Sequence, residues 1–166
     1  RYGFFREYLK NPEATAEAWQ GGWLHTGDIV SRDADGDLHF VDRKENVIRR
    51  SGENIAAVEV ESVLNRLPAI RQAAVAATPD QVRGDEVAAV IIADRPGADR
   101  ALAEEIERWS LEQMAYYKAP GWICFVEELP LTATEKIQRG GLKDVVAKLM
   151  REGAFFDLRD LKRRQE

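Results

Sequence analysis

Residues 129–139 read LPLTATEKIQR, and this polar stretch is the most informative part of the sequence. It follows a short apolar run, residues 123–126, which is typical of a β-strand. An apolar pattern at helical spacing comes after it, formed by Leu142, Val145, Val146 and Leu149. The order predicts a strand, then a polar loop that carries Lys136, then an amphipathic helix.

The chain upstream of this stretch alternates short helix and strand patterns in the same way. Residues 70–77 and 87–93 are apolar runs typical of strands, and a second helical pattern extends from Leu102 to about Ala115. A helical face that ends at a proline precedes them: Val60, Val63, Leu64 and Leu67, followed by Pro68. We therefore predict the α+β fold class for residues 44–150.

The N-terminal part shows a helix followed by a hairpin. Residues 11–13 read NPE, which supplies a helix N-cap, a proline at the first helical position and an acid in the first turn. Residues 23–32 and 38–42 read as strands, and an Asp-Gly turn signal lies between them in residues 33–37. The turn's acids could also form a calcium loop, but later ligands are missing, which favours a solvated turn. Residues 1–43 are too few to hold a core of their own.

Composition excludes several classes of protein. The 166 residues are 45% hydrophobic and 32% charged with a net charge of −5, which argues against disorder and against nucleic-acid binding. One cysteine and two histidines predict no metal site, and no apolar run approaches the roughly 18 residues of a membrane span. A cytoplasmic protein is the default expectation. The charged residues 151–166 predict a solvated helix that frays, and the start at Arg1 suggests a piece of a longer polypeptide.

Four segments carry a resemblance to a known family. They are residues 22–28 (GWLHTGD), residues 40–44 (FVDRK) with 51–55 (SGENI) and 58–61 (VEVE), residues 117–120 (YKAP), and residues 129–139. In this order they resemble the C-terminal half of the adenylate-forming superfamily, which includes acyl-CoA synthetases, peptide-synthetase adenylation domains and beetle luciferases. Residues 5–15 look closest to bacterial acyl-CoA or crotonobetaine/carnitine-CoA ligases.

The resemblance implies a domain organisation. Residues 1–43 would be the tail end of a large N-terminal AMP-binding domain, contributing a helix and a β-hairpin. Residues 44–150 would be a small, mobile C-terminal lid domain with a short, mostly antiparallel sheet flanked by helices. Residues 151–166 would be a charged tail. The partners implied are the protein's own N-terminal domain, a carboxylic acid, ATP and CoA.

The resemblance also implies an acid–thiol ligase reaction in two steps. A carboxylate attacks the α-phosphate of ATP, with Mg²⁺ offsetting charge, and releases pyrophosphate to give acyl-AMP; a thiol of CoA then displaces AMP. Lys136 would be the catalytic residue of the first step, because its cation can neutralise charge that develops between the carboxylate and the α-phosphate. Asp28 would bind the ribose hydroxyls, and Arg43 would lie near the ribose and phosphates. The present chain alone would be inactive, because the acid-binding pocket lies upstream.

The same resemblance assigns residues to the second step. Glu45 stands where relatives have the hinge residue between the two domains. Ser51, Gly52 and Glu53 would line the pantetheine tunnel, and Lys118 is equally open to contacting CoA phosphates or to ending a helix in solvent.

The sequence departs from the family pattern at a few positions. Glu135 replaces the usual glycine before the lysine, Ser51 replaces the first glycine of its loop, and Ala57 replaces a frequent proline. The hinge position holds Glu45, where Asp or Lys is usual.

Two other functions stay open at this point. An amino-acid or aryl-acid adenylation domain would load a carrier protein instead of CoA. A degenerate lid would serve only as a non-catalytic interaction module, which Glu135 favours slightly and the presence of Lys136 disfavours.

Overall fold

The structure is a computed structural model that describes residues 4–132 and 137–162. The chain divides into two compact units, Arg1–Glu45 and Asn46–Glu166.

The first unit contains the predicted helix and hairpin. Helix α1, Pro12–Ala18, begins where the Asn11 side chain accepts a hydrogen bond from the backbone N–H of Ala14 at 3.0 Å. Strands β1, Asp28–Arg32, and β2, Leu38–Arg43, pair antiparallel. Strand β1 begins five residues later than the predicted residue 23, because Gly27 adopts φ +75°, which an extended strand does not accommodate.

The turn between β1 and β2 is stabilised by one carboxylate. Asp33 accepts hydrogen bonds from the backbone N–H groups of Asp35 at 3.1 Å and Asp37 at 2.9 Å, and it contacts Nε2 of His39 at 2.7 Å. The contact with His39, together with the backbone hydrogen bonds, holds the pKa of Asp33 below its usual value. The geometry is that of a side-chain-stabilised turn and favours this interpretation over a calcium loop.

The first unit has no apolar core within its described residues. Among residues 4–45 no apolar side chain is buried, and Leu9 and Trp23 are 87% and 78% exposed. This agrees with the expectation that so short a segment cannot bury a core.

The second unit is a sheet with helices on both faces. Its elements are β3 (Val47–Arg50), β4 (Glu53–Ala56), α2 (Ala57–Leu64), β5 (Ile70–Asp80), β6 (Gly84–Ala93), α3 (Arg100–Gln113), β7 (Trp122–Phe125), α4 (Arg139–Arg151) and β8 (Phe156–Asp157). The strands run in the order β4-β3-β6-β7-β8, and β5 also pairs with β6. Only the pairing of β6 with β7 is parallel among the described strands, so the predicted mostly antiparallel α+β sheet is confirmed.

Strand β6 separates two apolar clusters. Val87, Ala89 and Ile91 point to one face, where they pack with residues of α2 and α3. Ala88, Val90 and Ile92 point to the other face, where Leu142 and Val146 of α4 cover them. Alternate residues of a strand face opposite sides, and helices on both faces explain why β6 is apolar throughout.

Strand β5 is longer than the predicted residues 70–77 and continues through Pro79 to Asp80. In the part of the chain that the structure describes, β5 pairs with β6 alone and is an edge strand. A proline cannot donate to a ladder, and an edge strand tolerates that loss. The sequence rule that ended the strand before Pro79 therefore failed.

Residues 152–162, the described part of the C-terminal segment, are not the solvated, frayed helix that its charges predicted. Strand β8 pairs with β7, and Leu158 is buried. The guanidinium of Arg159 bonds to Asp80 at 2.9 Å and to Asp157, and it lies 4.5 Å from the ring centre of Trp122. The guanidinium of Arg159 thus has specific partners on the sheet.

Four ionisable side chains meet inside the second unit. Glu86 accepts from Nε of Arg50 at 2.9 Å through both oxygens, and from Nζ of Lys162 at 2.5 Å. Both oxygens of the nearby Glu107 are buried and have no hydrogen-bond partner among the described residues. Burial raises the pKa of Glu107 to about 9, against a smaller opposing effect of Lys162, so this carboxyl is protonated at neutral pH.

We expect Glu107 to make folding less favourable as the pH rises from 5 to 7. Its folded pKa lies above the unfolded value, so the folded state holds a proton that the unfolded state releases in this range. The free energy of unfolding should fall by about 3 kcal/mol between these pH values through this group. Glu107→Gln should remove that slope. Urea unfolding of both proteins at pH 5 and pH 7 measures it, and equal slopes would contradict the assignment.

Candidate functional site

The hairpin of the first unit brings two predicted nucleotide-binding residues together. Asp28 and Arg43 are register partners at the open end of the β1–β2 pair. Nε of Arg43 lies 2.9 Å from Oδ1 of Asp28, and Nη1 of Arg43 donates to the carbonyl of Thr26 at 2.9 Å. The side chains are 53% and 31% exposed, so a carboxylate and a forked cation are both accessible at one place.

Glu45 lies at the boundary of the two units. It is the last residue of the first unit and belongs to a short 3₁₀ turn, Lys44–Asn46. The position is compatible with a hinge, and the hinge role stays a prediction.

Ser51 and Gly52 form the two-residue turn of the β3–β4 hairpin. Arg50 pairs with Glu53 across the turn, and the turn residues have φ +50° and φ +88°. Positive φ at both positions is what a tight hairpin with right-handed twist needs. Gly52 supplies it without strain, whereas Ser51 in place of glycine costs about 1 kcal/mol. Apart from Gly52 and its two neighbours in the chain, no described residue has an atom within 4 Å of where a Cβ of Gly52 would be, so this turn is open on its outer side.

Lys118 has a carboxylate partner that the sequence did not reveal. It follows α3 in a turn closed by its backbone N–H, which donates to the carbonyl of Ala115 at 2.8 Å. Its Nζ lies 2.5 Å from Oε1 of Glu59 on α2. Lys118 is 23% exposed and Glu59 is 50% exposed, so the pair lies at the surface. The helix-end interpretation is therefore incomplete, because the amine is paired and not only solvated.

Lys136 and Glu135 lie outside the described residues, in residues 133–136. The residues that flank this segment are paired with each other. Leu131 and Ile137 form an antiparallel bridge, and the backbone N–H of Gln138 donates to the carbonyl of Pro130 at 2.8 Å.

Helix α2 forms a further ion pair, in addition to Glu59–Lys118, with an arginine of the motif at residues 129–139. Nη1 of Arg139 donates to Oε1 of Glu61 at 2.5 Å, and Nη2 pairs with Oε2. Oε1 of Glu61 also accepts from the backbone N–H of Val75 at 2.7 Å. Glu61 belongs to residues 58–61, which carry part of the family resemblance, but that resemblance implied no role for it. The available signal was its place on the buried stripe of α2, with Ala57, Val60 and Leu64, where a carboxylate requires a partner.

Other chemistry receives little support from the described residues. Cys124 is buried, and burial raises the pKa of its thiol, which disfavours a nucleophilic thiolate. Within residues 4–132 and 137–162 no three side chains of the metal-binding types come together. The described helices are all too short or too polar to cross a membrane.

Comparison with known proteins finds a family that part of this chain matches. Residues 59–136 match the family described as AMP-binding enzyme C-terminal domain. Among curated proteins, a probable acyl-activating enzyme 8 of Arabidopsis thaliana is 41% identical over 139 residues, covering 83% of this chain and 25% of that protein. A crotonobetaine/carnitine–CoA ligase of Escherichia coli is 36% identical over 140 residues, covering 84% and 27%.

Solved structures agree with these matches. An anthranilate CoA ligase in complex with anthranoyl-AMP superposes with a TM-score of 0.75 at 39% identity, covering 89% of this chain and 28% of that chain. An o-succinylbenzoate CoA synthetase of Bacillus subtilis, in complex with its acyl-adenylate intermediate, has a TM-score of 0.72 at 34% identity, covering 83% and 28%.

The resemblance to adenylate-forming enzymes is thus confirmed. The chain spans about a quarter of the length of the curated relatives it matches. Residues 59–136 therefore match the C-terminal domain of AMP-binding enzymes, and the chain is similar to the C-terminal part of adenylate-forming enzymes.

Proposed function

We propose that this chain is the C-terminal part of an ATP-dependent carboxylic acid–CoA ligase, which forms an acyl adenylate and then an acyl-CoA. The match of residues 59–136 to the AMP-binding enzyme C-terminal domain, which extends as far as Lys136, carries the proposal. Relatives with CoA ligase activity in their names support CoA as the acceptor.

In the first half-reaction, Lys136 supplies a cation to the carboxylate and the α-phosphate as their anhydride forms. Anions must approach each other in this step, so a positive charge aimed at the reacting oxygens lowers the barrier. The Leu131–Ile137 bridge supports this role, because it ties the two ends of the lysine-bearing segment together. Mg²⁺ would enter with the phosphates of ATP, which is its usual mode of binding.

The nucleotide would be held in part by the first unit. Asp28 can accept hydrogen bonds from the ribose hydroxyls, and Arg43 can donate to ribose or phosphate oxygens. Their 2.9 Å contact and their exposure support a shared binding role.

The second half-reaction would use the Ser51–Gly52–Glu53 turn and Lys118. The open side of Gly52 allows a pantetheine chain to approach the backbone closely. The amine of Lys118 would leave its ion pair with Glu59 and bind a phosphate of CoA instead. Rotation about Glu45 would move Lys136 away from the reacting acyl adenylate and bring the Ser51–Gly52–Glu53 turn close to it. Such a conformational step is typical of multi-step enzymes.

A larger N-terminal domain is the partner we propose for residues 1–43. The exposed apolar side chains of the first unit support it, since a soluble protein rarely leaves so many uncovered: Phe4, Phe5, Tyr8, Leu9, Trp23, Leu38 and Phe40. A cytoplasmic location and a role in fatty acid metabolism stay predictions of the sequence.

The proposal is tested by screening the full-length protein against a panel of carboxylic acids. Pyrophosphate release is followed with and without CoA, and acyl-CoA is quantified by mass. We expect one class of acid to give acyl-CoA in a CoA-dependent manner. Adenylation without transfer to CoA would instead indicate loading of a carrier protein, and no adenylation with any acid would favour a non-catalytic module.

A further inference from the structure

We infer that Glu61 is a positioning residue for acyl-adenylate formation, acting through Arg139 on the base of the segment that bears Lys136. The inference rests on the proposed function, because it assigns Glu61 to the first of the two half-reactions.

Glu61 lies where helix α2 covers the free edge of strand β5. The backbone N–H of Val75 donates to Oε1 of Glu61 at 2.7 Å, and the N–H of Ala73, two residues earlier, donates to Oδ1 of Asn65 at 2.8 Å. Alternate residues of an edge strand direct their backbone groups away from the sheet, and these would otherwise lack partners. Glu61 is therefore held in place by the sheet itself.

Arg139 joins the same edge from the other side. Its guanidinium pairs with both oxygens of Glu61, and Nη1 also lies 3.5 Å from the carbonyl oxygen of Val75. Glu61 is 8% and Arg139 is 23% exposed at the side chain, so this fork-to-fork pair is largely shielded from water. Such a pair restricts orientation as well as distance, which a surface ion pair does not.

Arg139 stands three residues after Lys136 and is the first residue of α4. The residues between the lysine-bearing segment and Arg139 are tied to the opposite flank through the Leu131–Ile137 bridge. The base of the segment is thus fixed by a hairpin contact on one side and by the Glu61 ion pair on the other. Loss of the ion pair would remove the restraint that acts through Arg139.

The second half-reaction should not depend on this restraint. The Ser51–Gly52 turn, which we propose approaches the pantetheine chain, connects β3 and β4. Lys118 is paired with Glu59, a different carboxylate of α2. Removing the Glu61–Arg139 pair should therefore slow adenylation selectively, which a general loss of stability would not do.

The experiment measures each half-reaction in the full-length enzyme carrying Glu61→Gln. Glutamine keeps an oxygen that can accept from Val75 and removes the charge that orients Arg139. We expect ATP–pyrophosphate exchange at saturating substrates to fall by about 10- to 100-fold, the range seen when a reacting group is misplaced. Acyl-CoA formation from supplied acyl adenylate should stay within about twofold of the wild type.

The matched control is Glu104→Gln, which removes a carboxylate that pairs with Arg100 and Arg108 on the surface of α3. It should leave both half-reactions unchanged. If Glu61→Gln does not fold, Arg139→Lys is measured instead, because lysine keeps the positive charge but cannot pair with both carboxylate oxygens as the guanidinium does. We expect a smaller but equally selective decrease in ATP–pyrophosphate exchange.

Two outcomes would overturn the inference: unchanged pyrophosphate exchange in Glu61→Gln, or an equal decrease in both half-reactions. Lys136→Ala, measured alongside, separates this failure from that of the proposed function. If Lys136→Ala stops adenylation and Glu61→Gln does not slow it, only the positioning role fails. If Lys136→Ala itself adenylates normally, the catalytic role of Lys136 fails, and if the wild-type enzyme adenylates no acid, the proposed function fails.

Discussion

Replacing Lys136 by alanine in the full-length protein is expected to lower the rate of acyl-adenylate formation by at least about 10²- to 10³-fold. That is the size of effect seen when one group that stabilises developing charge is removed from an active site. Alanine removes the only part of the side chain that the mechanism uses, the ammonium group. ATP–pyrophosphate exchange at saturating acid and ATP is the measurement.

The same variant should still convert supplied acyl adenylate and CoA to acyl-CoA at close to the wild-type rate. This follows because the proposed rotation about Glu45 takes the lysine away before the thiol attacks. Lys148→Ala is the matched control, because Lys148 is an exposed lysine on α4. Its Nζ lies 3.9 Å from Oε1 of Glu152 at the surface. A comparable decrease in both half-reactions would show that Lys136 does not have the role we propose.

Glu86→Gln is expected to have the largest effect on stability, a loss of about 3–5 kcal/mol in the free energy of unfolding. Glu86 is fully buried and is the carboxylate that both Arg50 and Lys162 contact. Without its charge, two buried cations would lose the carboxylate that they share. Urea denaturation at pH 7 measures the change.

Glu104→Gln again serves as the control, because its surface ion pairs contribute at most about 1 kcal/mol. Lys162→Met should cost less than Glu86→Gln, since it leaves the Arg50–Glu86 pair intact. A loss below about 1 kcal/mol in Glu86→Gln would mean that water reaches the cluster and compensates its charges.

The Glu86 cluster also explains why the C-terminal segment is ordered. Lys162 reaches the buried carboxylate, Arg159 bonds to Asp80, and Leu158, which precedes both in the sequence, is buried. None of these partners lies near residues 158–162 in the sequence. A composition rule that assigns charged segments to solvent could not have anticipated them.

The amino-acid sequence by itself determined many of the elements and proposed the candidate site residues. Helical spacing predicted α2, α3 and α4, the continuous apolar run predicted β6, and the Asp-Gly turn predicted the hairpin that brings Asp28 to Arg43. These features depend on residues close together in the chain. Local spacing and backbone preference therefore suffice to identify them.

Tertiary structure alone decided how the motifs are held. Glu61 and Arg139 are 78 residues apart and Glu59 and Lys118 are 59 apart, yet each pair meets on α2. Pro79 lies inside a strand because β5 is at the edge of the sheet, and the charged tail adds strand β8 because buried carboxylates attract its cations. Contacts between distant residues depend on where the sheet places its edges and faces, and no local pattern contains that information.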